Sequence, residues 1–206
     1  MLRTLLRKIR SKHGIIRSTL DVNTWRARPP TVDEVRPAHC VACKVASRVV
    51  GEHFAIHGHG FVQRQIRGPP STDGTPTTDV IAVRRFECQR CGTVMTVVPR
   101  EVLRGVLYAA SAIGLALFLY GVEGLSARKV RERVSVFPAL DASTPGWPTL
   151  RRWIARAESL WRMERAPLPS ASTRQRAERA AMQLVAHAQV AGELAMRAFD
   201  GAVRAH

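Results

Sequence analysis

Two periods of apolar residues divide the chain near residue 100. Upstream, "EHFAIHGHGFVQRQIR" and "DVIAVRRFEC" are rich in β-branched and aromatic residues and read as strands. The turn-forming run "GPPSTDGTPTT" separates them. "GTVMTVVP" predicts a third short strand, closed by Pro99.

From Arg100 the period becomes helical. A first helix is predicted over about 101–122, ending at "GVEG". "LSARKVRERV" predicts a second, with Ser126 as N-cap and Leu125, Val130 and Val134 on its inner face. "SVFPALDASTPGW" reads as a loop. Pro148 suits the first turn of a third helix, "PTLRRWIARAESLWRM". After "APLPSAS", a last long helix is predicted over about 173–204, with Ser172 and Gln175 spaced as a capping box.

Two of these helices carry unusual faces. From Gly105 to Val122 the chain runs without a charge, which is just long enough to prompt a membrane span. Its Ala and Gly content, and its continuation into charged helical sequence, favour a buried central helix, so no membrane is expected. In the last helix Ala177, Ala181, Leu184, Ala188, Ala191, Ala195, Ala198 and Ala202 fall at alternating spacings of four and three, a small-residue seam that lets another helix approach closely. Met182, Val185, Leu194 and Phe199 widen that surface. The seam either folds back on the first helix or forms an interface with a second copy of the chain or a protein partner.

Charge narrows the function. The chain has 206 residues, 46% of them apolar, and a formal net charge of +16. A surface that basic attracts polyanions, nucleic acid before anionic membrane. The N-terminal "MLRTLLRKIRSKHG" lacks the long apolar core and cleavage site of a secretion signal, which leads to the expectation of a cytoplasmic protein associated with the bacterial nucleoid. Its Leu2, Leu5, Leu6 and Ile9 fit one face of a short helix and Arg3, Arg7 and Arg10 another.

All four cysteines sit in two Cys-x-x-Cys pairs, Cys40 with Cys43 and Cys88 with Cys91. Each such turn supplies two thiolates, and two turns close a tetrahedral Zn²⁺ site. The gap from Lys44 to Glu87 is one that a β-hairpin spans, and Gly92 supplies the small residue a knuckle turn favours. A redox pair would need one reactive Cys-x-x-Cys at a helix start near a βαβ pattern, which is missing. The expectation is structural zinc in a zinc ribbon. Four thiolates leave no open position for catalytic water. His39 abuts a ligand, and His57 and His59 share one face of a strand. These histidines read as solvated strand residues, with replacement of a cysteine ligand or contact with phosphate as the alternatives.

In the third helix Leu150, Trp153, Ile154 and Ala157 pack inward on a helical wheel. Thr149, Arg152, Arg156 and Ser159 face outward with Arg151 beside them. Thr149, Arg151, Arg152 and Arg156 are therefore candidates for contact with DNA bases, because arginine reads guanine bidentately. Arg128, Lys129, Arg131 and Arg133 of the second helix are candidates for phosphate contact. The loop from Ser135 to Trp147 is longer than the turn of an ordinary helix-turn-helix.

The succession "RRFECQRCGTVMTVVP", "AIGLALFLYGVEGLSARKVRERV" and "TLRRWIARA" resembles the zinc-ribbon and helix-turn-helix DNA-binding region of bacterial transposases and their small stand-alone relatives. The resemblance covers roughly Pro37 to Glu158. It implies zinc on Cys40, Cys43, Cys88 and Cys91, and a DNA-reading role for "LSARKVRERV" and "LRRWIARA". A catalytic transposase would also need three carboxylates on a separate metal-binding domain. Here Glu158, Glu164, Glu178 and Glu193 lie in helical sequence with no intervening sheet.

Together these readings predict an α+β chain in four zones: a basic arm (1–30), a zinc ribbon (31–99), an all-α helix-turn-helix-like domain (100–165) and a C-terminal association helix (166–206). The expected function is non-catalytic recognition of double-stranded DNA for a transposon or other mobile element. The alternatives are a protein–protein adaptor within a nucleoprotein complex and a small transcriptional regulator.

Overall fold

The computed structural model describes residues 13–48, 51, 53–137, 146–163 and 170–205. Among them the chain is α+β, with strands β1 (His13–Arg17), β2 (Ile56–Gly68), β3 (Thr77–Cys88) and β4 (Val94–Val98), and helices α1 (Val22–Ala27), α2 (Ala110–Gly121), α3 (Ala127–Val134), α4 (Pro148–Trp161), α5 (Thr173–Ala186) and α6 (Leu194–Arg204). It divides into two units, Met1–Arg64 with Ile81–Pro99, and Gln65–Val80 with Arg100–His206.

The first unit is built on the sheet, in the order β1-β4-β3-β2. β4 runs antiparallel to β3, with Arg84 opposite Val97 and Glu87 opposite Val94. On its other side β4 runs parallel to β1, with His13 opposite Val94 and Arg17 opposite Val98. The inward side chains of β3 are Ile81 and Val83, then Phe86 and Cys88, so the alternation slips by one residue at Arg84–Arg85. β1 and α1 lie within the zone expected to be a basic arm (1–30). Asp21 accepts the Thr24 N–H at 2.8 Å and starts α1. Trp25 is fully buried, and its indole N–H donates to the Ala82 carbonyl at 2.7 Å. The amphipathic segment expected at Leu2–Ile9 lies outside the described residues.

The second unit is helical, and α2 is its centre. α2 packs against α3, α4, α5 and α6, which is why Ala110–Leu119 carries no charge and is buried on every side. The segment from Gly105 is helical only from Ala110, because Glu101 accepts the Ala110 N–H at 2.8 Å and Val102 pairs with Ala109. Among the described residues no helix is long and apolar enough to cross a membrane.

The long last helix is corrected to two. α5 ends at Ala186, and the turn to α6 passes through Gly192 at φ +125°, a conformation that favours glycine. In that turn Asp200 accepts the Gln189 N–H at 2.9 Å. Both helices return to α2. A Cβ on Gly114 would lie 2.6 Å from the Ala198 carbonyl oxygen, and one on Gly121 would lie 2.2 Å from Glu178 N. Of the seam, Ala177, Ala181, Leu184, Ala198 and Ala202 are buried in this packing, whereas Ala191 sits exposed in the turn. The far end of the β2–β3 hairpin also belongs to this unit. Arg67 N–H donates to Leu107 O at 2.9 Å, and Arg133 donates to Thr72 O at 3.1 Å.

Candidate functional site

The two Cys-x-x-Cys turns are built alike. In the first, Cys40 N–H donates to Val45 O at 2.9 Å and Lys44 N–H returns to Cys40 O at 3.0 Å. In the second, Cys88 N–H donates to Thr93 O at 3.0 Å and Gly92 N–H returns to Cys88 O at 2.8 Å. The residue after the second cysteine is left-handed in both, Lys44 at φ 62° and Gly92 at φ 67°. Backbone bonds close each turn, so two thiols project from one tight loop. The first turn hangs on the His39–Ala46 bridge, and the second joins β3 to β4.

These turns bring the four thiols together. Cys40 Sγ lies 3.7 Å from Cys91 Sγ, and Cys43 Sγ lies 3.7 Å from Cys88 Sγ. All four sulfurs fall within 4.8 Å of one another. A disulfide requires about 2.05 Å between sulfurs, and all four thiols are free. A tetrahedral thiolate site with metal–sulfur bonds of about 2.3 Å has edges of about 3.8 Å. The cluster therefore has the size of a site that could hold a metal ion, with Cys40 and Cys88 buried, Cys43 half-buried and Cys91 exposed.

The thiols differ electrostatically. Burial pushes Cys88 up to about 12. Cys91 is lowered to about 6, chiefly by the Thr93 hydroxyl 3.2 Å away and then by the Thr93 backbone N–H. Thr93 and Lys44 were not singled out from sequence. Aligning "CVACKV" with "CQRCGT" is the signal that finds them, since it sets Lys44 against Gly92.

None of the three histidines belongs to the group that could hold a metal ion among the described residues, which is the four cysteines. His39 pairs with Ala46 through its backbone. His57 Nε2 lies 2.6 Å from Phe54 O, and His59 Nδ1 lies 3.3 Å from Glu87 Oε2.

The basic candidates lie in the second unit. On α4, Leu150, Trp153, Ile154 and Ala157 are buried as expected. Arg151, Arg152, Arg156 and Ser159 are exposed, and Thr149 is half-buried. Trp153 is fixed by an aromatic cluster, its ring 4.8 Å from Tyr108 and 4.9 Å from Trp147 in edge-to-face contact. On α3, Ser126 caps the helix by accepting Lys129 N–H at 3.3 Å. Arg128 pairs with Glu132 at 3.1 Å, and Arg131 donates to Phe137 O at 2.9 Å. Arg133 reaches Asp73 at 3.4 Å, while Lys129 is exposed. α3 and α4 both rest on α2, with little direct contact between them among the described residues. Of the loop expected from Ser135 to Trp147, residues 138–145 lie outside the described residues, as does Glu164. Comparison of the chain with protein-family models, curated proteins and solved structures gives no match.

Proposed function

We propose that the chain is a non-catalytic, zinc-stabilised DNA-binding protein, with α4 as its base-reading helix and α3 as a phosphate-contacting helix. The observation that carries this reading is the division of α4: its apolar side is buried, and Arg151, Arg152 and Arg156 stand on the exposed side. A net charge of +16 supplies the long-range attraction to a polyanion. Support of both helices by α2 is compatible with a three-helix reader.

Zinc is the metal the donor set favours. Four thiolates at tetrahedral edges suit it, and a site closed by four cysteines has a structural rather than catalytic role. Cys40, Cys43, Cys88 and Cys91 would hold the ion, which would tie the loop at 40–46 to the end of the β3–β4 turn. The fold in this reading is a zinc ribbon followed by a helix-turn-helix-like unit. The link to transposition rests on the resemblance of the ribbon and helix segments to transposase DNA-binding regions.

Selection of bound duplexes from a randomised library, followed by titration against scrambled DNA, tests the reading. The double change Arg152→Ala and Arg156→Ala should remove most of the preference for the selected site, at about 1–3 kcal/mol per lost bidentate contact. Binding to scrambled duplex should change little. Equal losses on every sequence would defeat base reading by α4.

A further inference from the structure

The first unit carries an exposed surface that the reading of α3 and α4 does not use. β2 is one of the two outer strands of the sheet, and from His57 to Gln63 every residue is exposed. Phe61 stands there with 48% of its surface open, and Phe54, just before the strand, with 42%. A single exposed apolar residue is ordinary; what sets these two rings apart is the guanidinium groups placed against them.

Both rings are already set against guanidinium groups. The Arg84 guanidinium carbon lies 4.2 Å from the Phe61 ring centre, and its Nε donates to the Pro30 carbonyl, which fixes it in place. One face of Phe61 therefore rests on a cation, and about half of the residue's surface, 48%, stays open. Arg36 and Arg48 lie 4.6 and 4.8 Å from the Phe54 ring centre, and Asp33 holds both at 3.1 Å. In sequence between the rings, Gly58 is covered by Val32, whose side chain a Cβ there would meet at 3.1 Å, whereas a Cβ on Gly60 would meet nothing within 4 Å. His57 and His59 flank them. The nearby carboxylates are Asp33, Glu34 and Glu87; Glu34 is paired with Arg28, and against all three stand Arg28, Arg36, Arg48 and Arg84, an excess of one positive charge.

We infer that Phe54 and Phe61, with Arg36, Arg48 and Arg84, form a stacking surface for the unpaired bases of single-stranded nucleic acid. A base accepts an aromatic face, and its phosphate accepts the flanking cations. A duplex keeps its bases stacked on one another and offers only groove edges and phosphates, so it has no free base to stack on the Phe61 ring. This surface is separate in sequence and unit from α3 and α4, and it stands whether or not those helices read duplex DNA.

The experiment is fluorescence anisotropy of the zinc-loaded full chain with labelled oligothymidylate of about 12 nucleotides, a length in the range of single-strand sites. Oligouridylate of the same length and a duplex complete the set. Phe54→Ala and Phe61→Ala should each weaken single-strand binding about 5- to 150-fold, the range set by loss of one base–aromatic stack. Phe61→Leu keeps the apolar volume and loses the ring, so it should show the same loss while retaining its metal. Phe61→Trp should bind at least as tightly as the parent. Binding of thymidylate over uridylate, or the reverse, identifies the strand as DNA or RNA and supports the surface either way. Wild-type affinity in Phe61→Leu, or an equal loss on the duplex, would overturn the proposal. So would loss of oligothymidylate binding on changing Arg152 and Arg156 alone, because the strand would then be held by α4.

Discussion

The two cysteine turns contain an internal comparison that tests how far backbone conformation limits the proposed metal site. Lys44 and Gly92 occupy the same place, at φ 62° and φ 67°, yet only one is glycine. A side-chain-bearing residue in this region costs about 1–2 kcal/mol through the clash of Cβ with the backbone. Replacing it with glycine also frees the unfolded chain, which takes back about 0.4–1 kcal/mol. The difference leaves Lys44→Gly stabilising by about 0.5–1 kcal/mol and Gly92→Ala destabilising by about the same amount. At Gly92 no neighbour complicates the estimate, since a Cβ there meets nothing within 4 Å. Metal binding and local folding are linked, so the change appears in apparent zinc affinity as about 2- to 5-fold in each direction. The assay is competition with a chromophoric chelator at fixed pH. Lys44→Ala is the control for the lost positive charge, because it keeps the Cβ and removes the ammonium. Glycine no better than alanine at position 44, together with parental affinity in Gly92→Ala, would refute the strain argument.

Two further outcomes follow from burial and charge. Gly201→Ala should remove the cooperative thermal transition of the helical unit or lower it by many degrees, because its Cβ would sit 1.8 Å from the Leu184 carbonyl oxygen and no side chain can yield there; circular dichroism melting reads this, and a shift of a degree or two would mean that α5 and α6 separate easily. In metal-free protein, iodoacetamide should label Cys91 first and Cys88 last. The Cys91 thiolate is favoured above about pH 6, so its labelling rate and the stability it contributes should both fall as pH drops through that value, and zinc should protect all four thiols. Labelling of Cys88 as fast as Cys91 at neutral pH would contradict the assigned burial.

What sequence could show depended on whether a signal was local. The cysteine spacing was legible because each turn closes through its own backbone bonds, and the short strands β3 and β4 announce themselves by β-branched residues. The inward face of α4 was legible because Leu150, Trp153, Ile154 and Ala157 repeat at helical spacing. β1 was not, since five residues with Ile15 and Ile16 adjacent show no alternation, and their strand state depends on pairing with β4. The break between α5 and α6 was also missed. The alanine spacing continues through Ala188 and Ala191 although the chain turns there, and one glycine followed by Glu193 is a weak stop signal against that period. Phe54 and Phe61 read from sequence as ordinary strand residues. Only exposure separates them from Phe86, which is wholly buried.

The basic helices are not equivalent as surfaces for a polyanion, and the difference can be weighed. On α3, Arg128, Arg131 and Arg133 each have an intramolecular partner, Glu132, the Phe137 carbonyl and Asp73 with Thr72. Their partners are exposed, and exposed ion pairs contribute about 0–1 kcal/mol each. Releasing one to meet a phosphate therefore costs less than the contact returns, so these pairs do not block binding. They do set an order. Glu132 and Asp73 lower the positive potential along α3; on α4 the one acid, Glu158, pairs with Arg179 at 3.5 Å, and Arg151, Arg152 and Arg156 stand exposed over a side fixed by Trp153 and Trp161. Trp161 is itself held by donation of its indole N–H to the Ala202 carbonyl at 2.7 Å. A helix anchored along its buried side keeps its exposed arginines in register, which base reading requires and phosphate contact does not. On this reading α4 carries sequence discrimination, and α3 adds affinity without it.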